Sequence, residues 1–257
     1  MGGEAIYLYC VTSRNVDGVA ALMGVEEGMP VVSHAHAGLV AWVSTVTLDD
    51  YVGEAGELNL QDVGWLGPRA VRHGALINAV MSEGAVFPLP FGTLFSSLDA
   101  LDMGLDARRP EIVAALERVS GCQEWGVECR VDRDRAIDAM IRGRCDQGQI
   151  ILPDAAGRRH LELQRLRRTI GPELRPWLQS ITDTIATELD PLVTGRVERR
   201  SPRGEEGGPR WAFLVPLAQT DGFCARVAEL ARRHADEGLD LHMSGPWPPY
   251  SFCSAPG

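Results

Sequence analysis

Residues Ala5 to Val11 read AIYLYCV, a run that is apolar on both faces: Ile6, Leu8 and Cys10 point one way, Tyr7 and Tyr9 the other. Such a strand needs cover on each side, which places it centrally in a sheet, and the polar Thr12-Ser13-Arg14-Asn15 marks its exit. Two further strands, Pro30 to Ala37 and Leu39 to Val46, read as a hairpin turning at Gly38. The spacing then predicts a helix over Gln61 to Ser82, with Val63, Leu66, Ala70, His73, Ile77 and Val80 along one stripe. Another helix is expected to begin at Pro110, a favoured first-turn position, to bury Ile112, Leu116 and Val119, and to end at Ser120-Gly121. A domain boundary is placed there, giving an α+β domain over 1–120 and a second domain over 121–257.

The second domain opens with Glu124 to Val131, where Trp125, Val127, Cys129 and Val131 alternate with Glu124, Gly126, Glu128 and Arg130, the pattern of a half-buried strand. Helices are expected over Asp132 to Arg144, Gly157 to Thr169 and Pro172 to Leu189, the last with Leu174, Leu178, Ile181, Ile185 and Leu189 as its apolar stripe. Strands Thr194 to Arg200 and Arg210 to Leu217 flank a polar loop, Ser201 to Pro209, expected to be mobile. A helix from Asp221 to Ala235 and a strand from Leu239 to Met243 close the order. That order is the ferredoxin-like βαββαβ pattern with helices inserted after its first strand, so the fold class is α+β in two domains.

The chain has 257 residues, 45% of them hydrophobic and 23% charged, a globular composition of one or two domains. All 25 basic residues are arginine, which removes Schiff-base and phosphate-binding lysine chemistry. A net charge of -10 argues against a nucleic-acid partner. No apolar run is long enough to cross a bilayer and Met1-Gly2-Gly3-Glu4 has no signal-peptide layout, so no membrane partner and a cytoplasmic location are expected. Six cysteines without a CxxC pair read as reduced, buried hydrophobes.

Candidate chemistry is sparse. His34 and His36 share a strand face without a third metal ligand nearby in sequence, and His73 lies on the apolar stripe of a helix, as a hydrogen-bonded core histidine or a base. These three would carry a metal or enzymatic function if there were one. No GxSxG, HExxH or GxGxxG motif is present. Glu26-Glu27 and Asp49-Asp50 read as solvated surface, and Gly92, Gly104 and Gly121 as separators of elements. Arg158, Arg159, Arg165, Arg167 and Arg168 form either a face for an acidic partner or, with Glu162 and Glu173, a surface laced with ion pairs.

What stands out instead is aromatic and proline placement. Val86 to Phe95, VFPLPFGTLF, is apolar and too punctuated for a helix. The segment Ser244 to Phe252, SGPWPPYSF, is an extended arm with three large rings, which either folds back on its own core or presents aromatics to a partner. With the opening Tyr7-Leu8-Tyr9, these segments resemble the gas vesicle protein family GvpL/GvpF. The resemblance runs collinearly over almost the whole chain and includes Gly121-Cys122-Gln123-Glu124-Trp125 at the start of the second half. It implies two α+β domains, the second a modified ferredoxin fold, and a non-enzymatic role without cofactor or metal in building gas vesicles. The implied partners are the small hydrophobic shell protein and other accessory proteins. The candidate partner-binding residues are Phe87, Phe91 and Phe95 in the first segment and Trp247, Tyr250 and Phe252 in the second. The alternative is a ferredoxin-like enzyme or ligand module.

Overall fold

The two apolar faces of the first strand are explained by its position. In a computed structural model that describes residues 3–16, 23–199 and 208–253, β1 (Glu4–Thr12) lies between β3 (Leu39–Thr47) on one side and β4 (Phe87–Pro88) and β5 (Leu94–Phe95) on the other, with β2 (Val32–His36) outside β3. All its pairings are antiparallel, and a bulge between Leu8 and Cys10 interrupts the register with β3. The β2–β3 hairpin turns through Ala37 and Gly38, both at positive φ, which is the two-residue geometry whose twist matches that of the flanking strands.

Helix α2 (Val63–Glu83) buries His73, Leu76, Ile77 and Val80. Val63 is 82% exposed and Ala70 is exposed too, so the expected stripe is buried only from His73 onward. A short helix, α1 (Gly53–Gln61), precedes it and was not foreseen: its only buried residue is Gly56, leaving no apolar stripe to read. Helix α3 (Leu98–Val119) corrects the expected start at Pro110. Ser97 caps it by accepting from the Ala100 N–H, and Leu101, Leu105, Ile112, Leu116 and Val119 form one continuous buried face that carries the helix through the proline. Gly104 therefore sits inside a helix rather than between elements, where a Cβ would stand 2.7 Å from Phe95 Cε1.

The second half runs β6 (Cys122–Val131), α4 (Arg133–Asp146), α5 (Ala156–Ile170), α6 (Leu174–Leu189), β7 (Gly195–Arg199), β8 (Arg210–Pro216), α7 (Thr220–His234), β9 (Leu239–Trp247) and a one-turn helix, α8 (Tyr250–Cys253). Its sheet has the order β7-β8-β6-β9. Phe213, Phe223, Leu230 and Ile185 make its core with Val127 and Leu239, and a satellite cluster joins α4 to α5 and α6 through Ile137, Ile141, Ile170 and Leu174. Within the polar loop foreseen over Ser201 to Pro209, residues 201–207 lie outside the described ones. By contact the chain divides into Met1–Glu124 with Trp247–Gly257, here unit 1, and Trp125–Pro246, unit 2.

Candidate functional site

Two tyrosine hydroxyls on a buried strand need partners, and in unit 1 they organise its polar centre. Tyr7 and Tyr9 are both fully buried. The Tyr7 hydroxyl lies 2.9 Å from His73 Nδ1 and accepts from the Gly92 N–H at 3.1 Å. His73 Nε2 is 3.2 Å from the Leu89 carbonyl oxygen and 3.3 Å from the Tyr250 hydroxyl. A carbonyl can only accept, so the ring proton sits on Nε2 and Nδ1 accepts from Tyr7. The chain of donors is therefore directed: Gly92 N–H to Tyr7, Tyr7 to His73, His73 to Leu89. Burial brings the His73 pKa down to about 4, against a smaller upward pull from the Leu89 carbonyl, and keeps the ring neutral. Burial likewise raises the phenol of Tyr7, with the Gly92 N–H working against it.

Tyr9 accepts from the Val25 N–H at 2.8 Å and shares a hydrogen bond of 2.7 Å with Ser44 Oγ. Nearby, Arg69 holds Glu26 by two bonds of 3.0 and 2.7 Å and lies 4.1 Å over the Trp65 ring, while Tyr51 donates to Glu26 at 2.8 Å. Burial works to raise the Glu26 carboxyl, but the Arg69 and Tyr51 hydrogen bonds outweigh it and leave its pKa lowered. Glu26 is thus no solvated surface acid, in contrast to the expectation, whereas Glu27 is 79% exposed.

The C-terminal arm closes this centre. Tyr250 reaches His73, Phe252 and Cys253 are buried, and Ser251 donates through its N–H at 2.9 Å and its hydroxyl at 2.8 Å to the carboxylate of Glu124. Strand alternation had put Glu124 on an outer face; it is buried, because the arm covers it. Among the candidate partner residues, Phe91 packs at 5.8 Å from Tyr7 and 5.7 Å from His73, joining Tyr250 around the imidazole. Phe87 is buried in β4 beneath the Arg108 guanidinium, 5.4 Å from its ring. Phe95 is half-buried in β5 against α3, and Trp247 is 49% exposed.

The other histidines do not join His73. His34 lies 2.6 Å from Asp102, and His36 lies 3.0 Å from Asp106. Asp102 and Asp106 are both on α3, and no group of three His, Cys, Asp or Glu side chains among the described residues could hold a metal ion. Sequence reasoning missed Glu26, Ser44, Tyr51, Arg69 and Glu124; the available signal was Tyr7 and Tyr9, two hydroxyls on one face of an otherwise apolar strand.

Unit 1, an α+β fold, thus uses its polar centre to hold the segment around Tyr250 and Ser251 against its own core, and no helix among the described residues is long and apolar enough to cross a membrane. The chain belongs to the gas vesicle synthesis protein GvpL/GvpF family, whose profile matches residues 5–254. It is 28% identical to gas vesicle protein L of Streptomyces sp. strain CB03234 over 96% of this chain and 91% of that one. Gas vesicle protein L2 of Halobacterium salinarum is 27% identical over 96% of this chain and 90% of its own length. The crystal structure of gas vesicle protein GvpF from Anabaena sp. PCC7120 superimposes with a TM-score of 0.73 at 19% identity, covering 99% of this chain and 98% of that one, and so shares the fold.

Proposed function

We propose that the protein is a non-enzymatic, cytoplasmic accessory factor of gas vesicle assembly that binds the small hydrophobic shell protein and other accessory proteins while the wall nucleates or grows. The match to the GvpL/GvpF family over residues 5–254 carries this reading. A shell subunit with an apolar face benefits from a protein partner that covers it before assembly. We also read unit 2 as a ferredoxin-like domain with inserted helices; the element order β6, α4 to α6, β7, β8, α7, β9 and the sheet order β7-β8-β6-β9 support it.

Of the six candidate aromatic residues, Trp247 is assigned the contact role, because it is half exposed where Phe87 and Phe252 are buried. The test is co-expression with the shell protein followed by size-exclusion chromatography. A soluble complex that depends on this chain, and that Trp247→Ala weakens at least tenfold (about 1.4 kcal/mol) while the variant stays folded, is the expected result. A folded Trp247→Ala variant that binds shell protein undiminished removes Trp247 from the interface. Absence of any complex with the wild type overturns direct shell binding.

A further inference from the structure

The chain's charge is unevenly divided. Unit 1 contains 6 of the 25 arginines and 16 of the 35 acidic residues, and so carries the whole net charge of -10; unit 2 contains 19 of each and is neutral. Within unit 2, however, arginine is concentrated on α5. Arg167 is neutralised by Asp138 at 2.7 Å, and Arg165 stands 3.7 Å from Glu162. Arg158 and Arg168 form no ion pair among the described residues, and both are exposed. Arg158, Leu161, Arg165 and Arg168 follow one another at three- and four-residue steps, so they form one outward stripe, and Leu161 in its middle is 67% exposed.

Helix α1 in unit 1 is the complementary surface. It has no basic residue, and between Arg14 and Arg69 the sequence contains neither lysine nor arginine. Glu54, Glu57, Leu58 and Gln61 share one outward stripe by the same spacing. Glu54 and Glu57 are exposed without an ion-pair partner among the described residues, and Leu58 is 62% exposed. On its stripe each helix therefore presents one exposed leucine flanked by exposed charges, acidic on α1, where Leu60 off the stripe is also 43% exposed, and basic on α5, where Arg165 is the one charge already near an acid. An apolar contact framed by opposite charges is the arrangement by which paired helices select partner and register.

We propose that α1 of one copy docks on α5 of a second copy, leucine against leucine, with Glu54 and Glu57 facing Arg158 and Arg165. The contact joins two different surfaces, so it is head-to-tail: each added copy leaves one α1 and one α5 open, and association grows beyond a dimer or closes into a ring. The interface is small and rests on charge, so it is reversible and sensitive to salt.

Sedimentation velocity on the full-length protein tests this. Across about a hundredfold range of concentration, the weight-average sedimentation coefficient of the wild type rises at about 0.1 M salt and stays at the monomer value at about 1 M, where the screening length has fallen from roughly 10 Å to about 3 Å. Glu54→Arg/Glu57→Arg and Arg158→Glu/Arg165→Glu each abolish the rise. Mixing these two variants restores it, because the intact α5 of the first meets the intact α1 of the second. The mixture also guards against misfolding, since recovery requires both chains to be folded. A wild type that remains monomeric throughout at low salt overturns the proposal, as does association that survives either reversal or a mixture that fails to recover while both variants keep the wild-type circular dichroism spectrum.

Discussion

A neutral histidine in the middle of a protein is held there by direction as well as by burial. His73 accepts from Tyr7 at one nitrogen and donates to the Leu89 carbonyl from the other, so a second proton would displace the Tyr7 hydrogen bond and place a charge in an apolar site. An unfolded imidazole titrates near 6.5, whereas burial lowers that of His73 to about 4. Between these values the unfolded chain binds a proton that the folded chain excludes, so this site's stability is intact above pH 6.5 and is lost as pH falls toward 4. The difference in proton affinity corresponds to about 3 kcal/mol. His73→Gln supplies an acceptor and a donor without a titrating ring. The unfolding free energy of wild type minus variant, measured in denaturant, is expected to fall by about 3 kcal/mol between pH 7 and pH 4; a difference that does not change with pH refutes the assignment of the neutral ring.

Among the elements, α3 sets burial against local propensity. Its continuous apolar face outweighs Pro110, whose missing N–H leaves the carbonyl of Asp106 without its helical donor. A proline inside a helix costs about 3 kcal/mol relative to alanine, a net figure that already includes the stiffer unfolded chain. Pro110→Ala is therefore expected to raise stability by up to about 3 kcal/mol, read as a higher denaturant midpoint with unchanged slope; a lower midpoint would show that the proline is needed to fit α3 to its neighbours. The same helix shows where sequence was legible. The central β1 and the Gly38 hairpin follow from patterns within ten residues, and both stand as expected. Pro110 carries a strong local signal for a helix start, and that signal masked the weaker one from Ser97, Leu101 and Leu105. Helix α1 had no signal to offer, because it buries only Gly56. At the candidate site, the stripe turned His73 inward correctly, but its side-chain partners Tyr7 and Tyr250 lie 66 and 177 residues away in sequence, and Ser251 lies 127 residues from Glu124. Local periodicity carries no information about contacts of that range.

In the whole molecule, unit 1 is discontinuous, since Trp247–Gly257 rejoins Met1–Glu124 after the intervening unit 2. Its last described residues cover the buried Glu124, complete the ring cluster around His73 and bury Phe252 and Cys253. Unit 2 is continuous from Trp125 to Pro246 and has its own core of Phe213, Phe223 and Leu230. A chain ending at Pro246 therefore loses part of the first core and none of the second. Removing the arm takes two donors from the Glu124 carboxylate and deletes the buried Phe252 side chain, losses of about 1–3 kcal/mol each. Hydrogen exchange resolves the consequence by position. Amides of β1 and α2 are expected to exchange at least a hundredfold faster in the truncated chain, about 2.8 kcal/mol at 1.4 kcal/mol per decade, while those of β8 and α7 keep their wild-type protection. Equal protection of β1 with and without the arm would mean that the terminal segment rests on unit 1 without supporting it. Loss in both units would show that β8 and α7 also depend on the arm, although their core contains none of its residues.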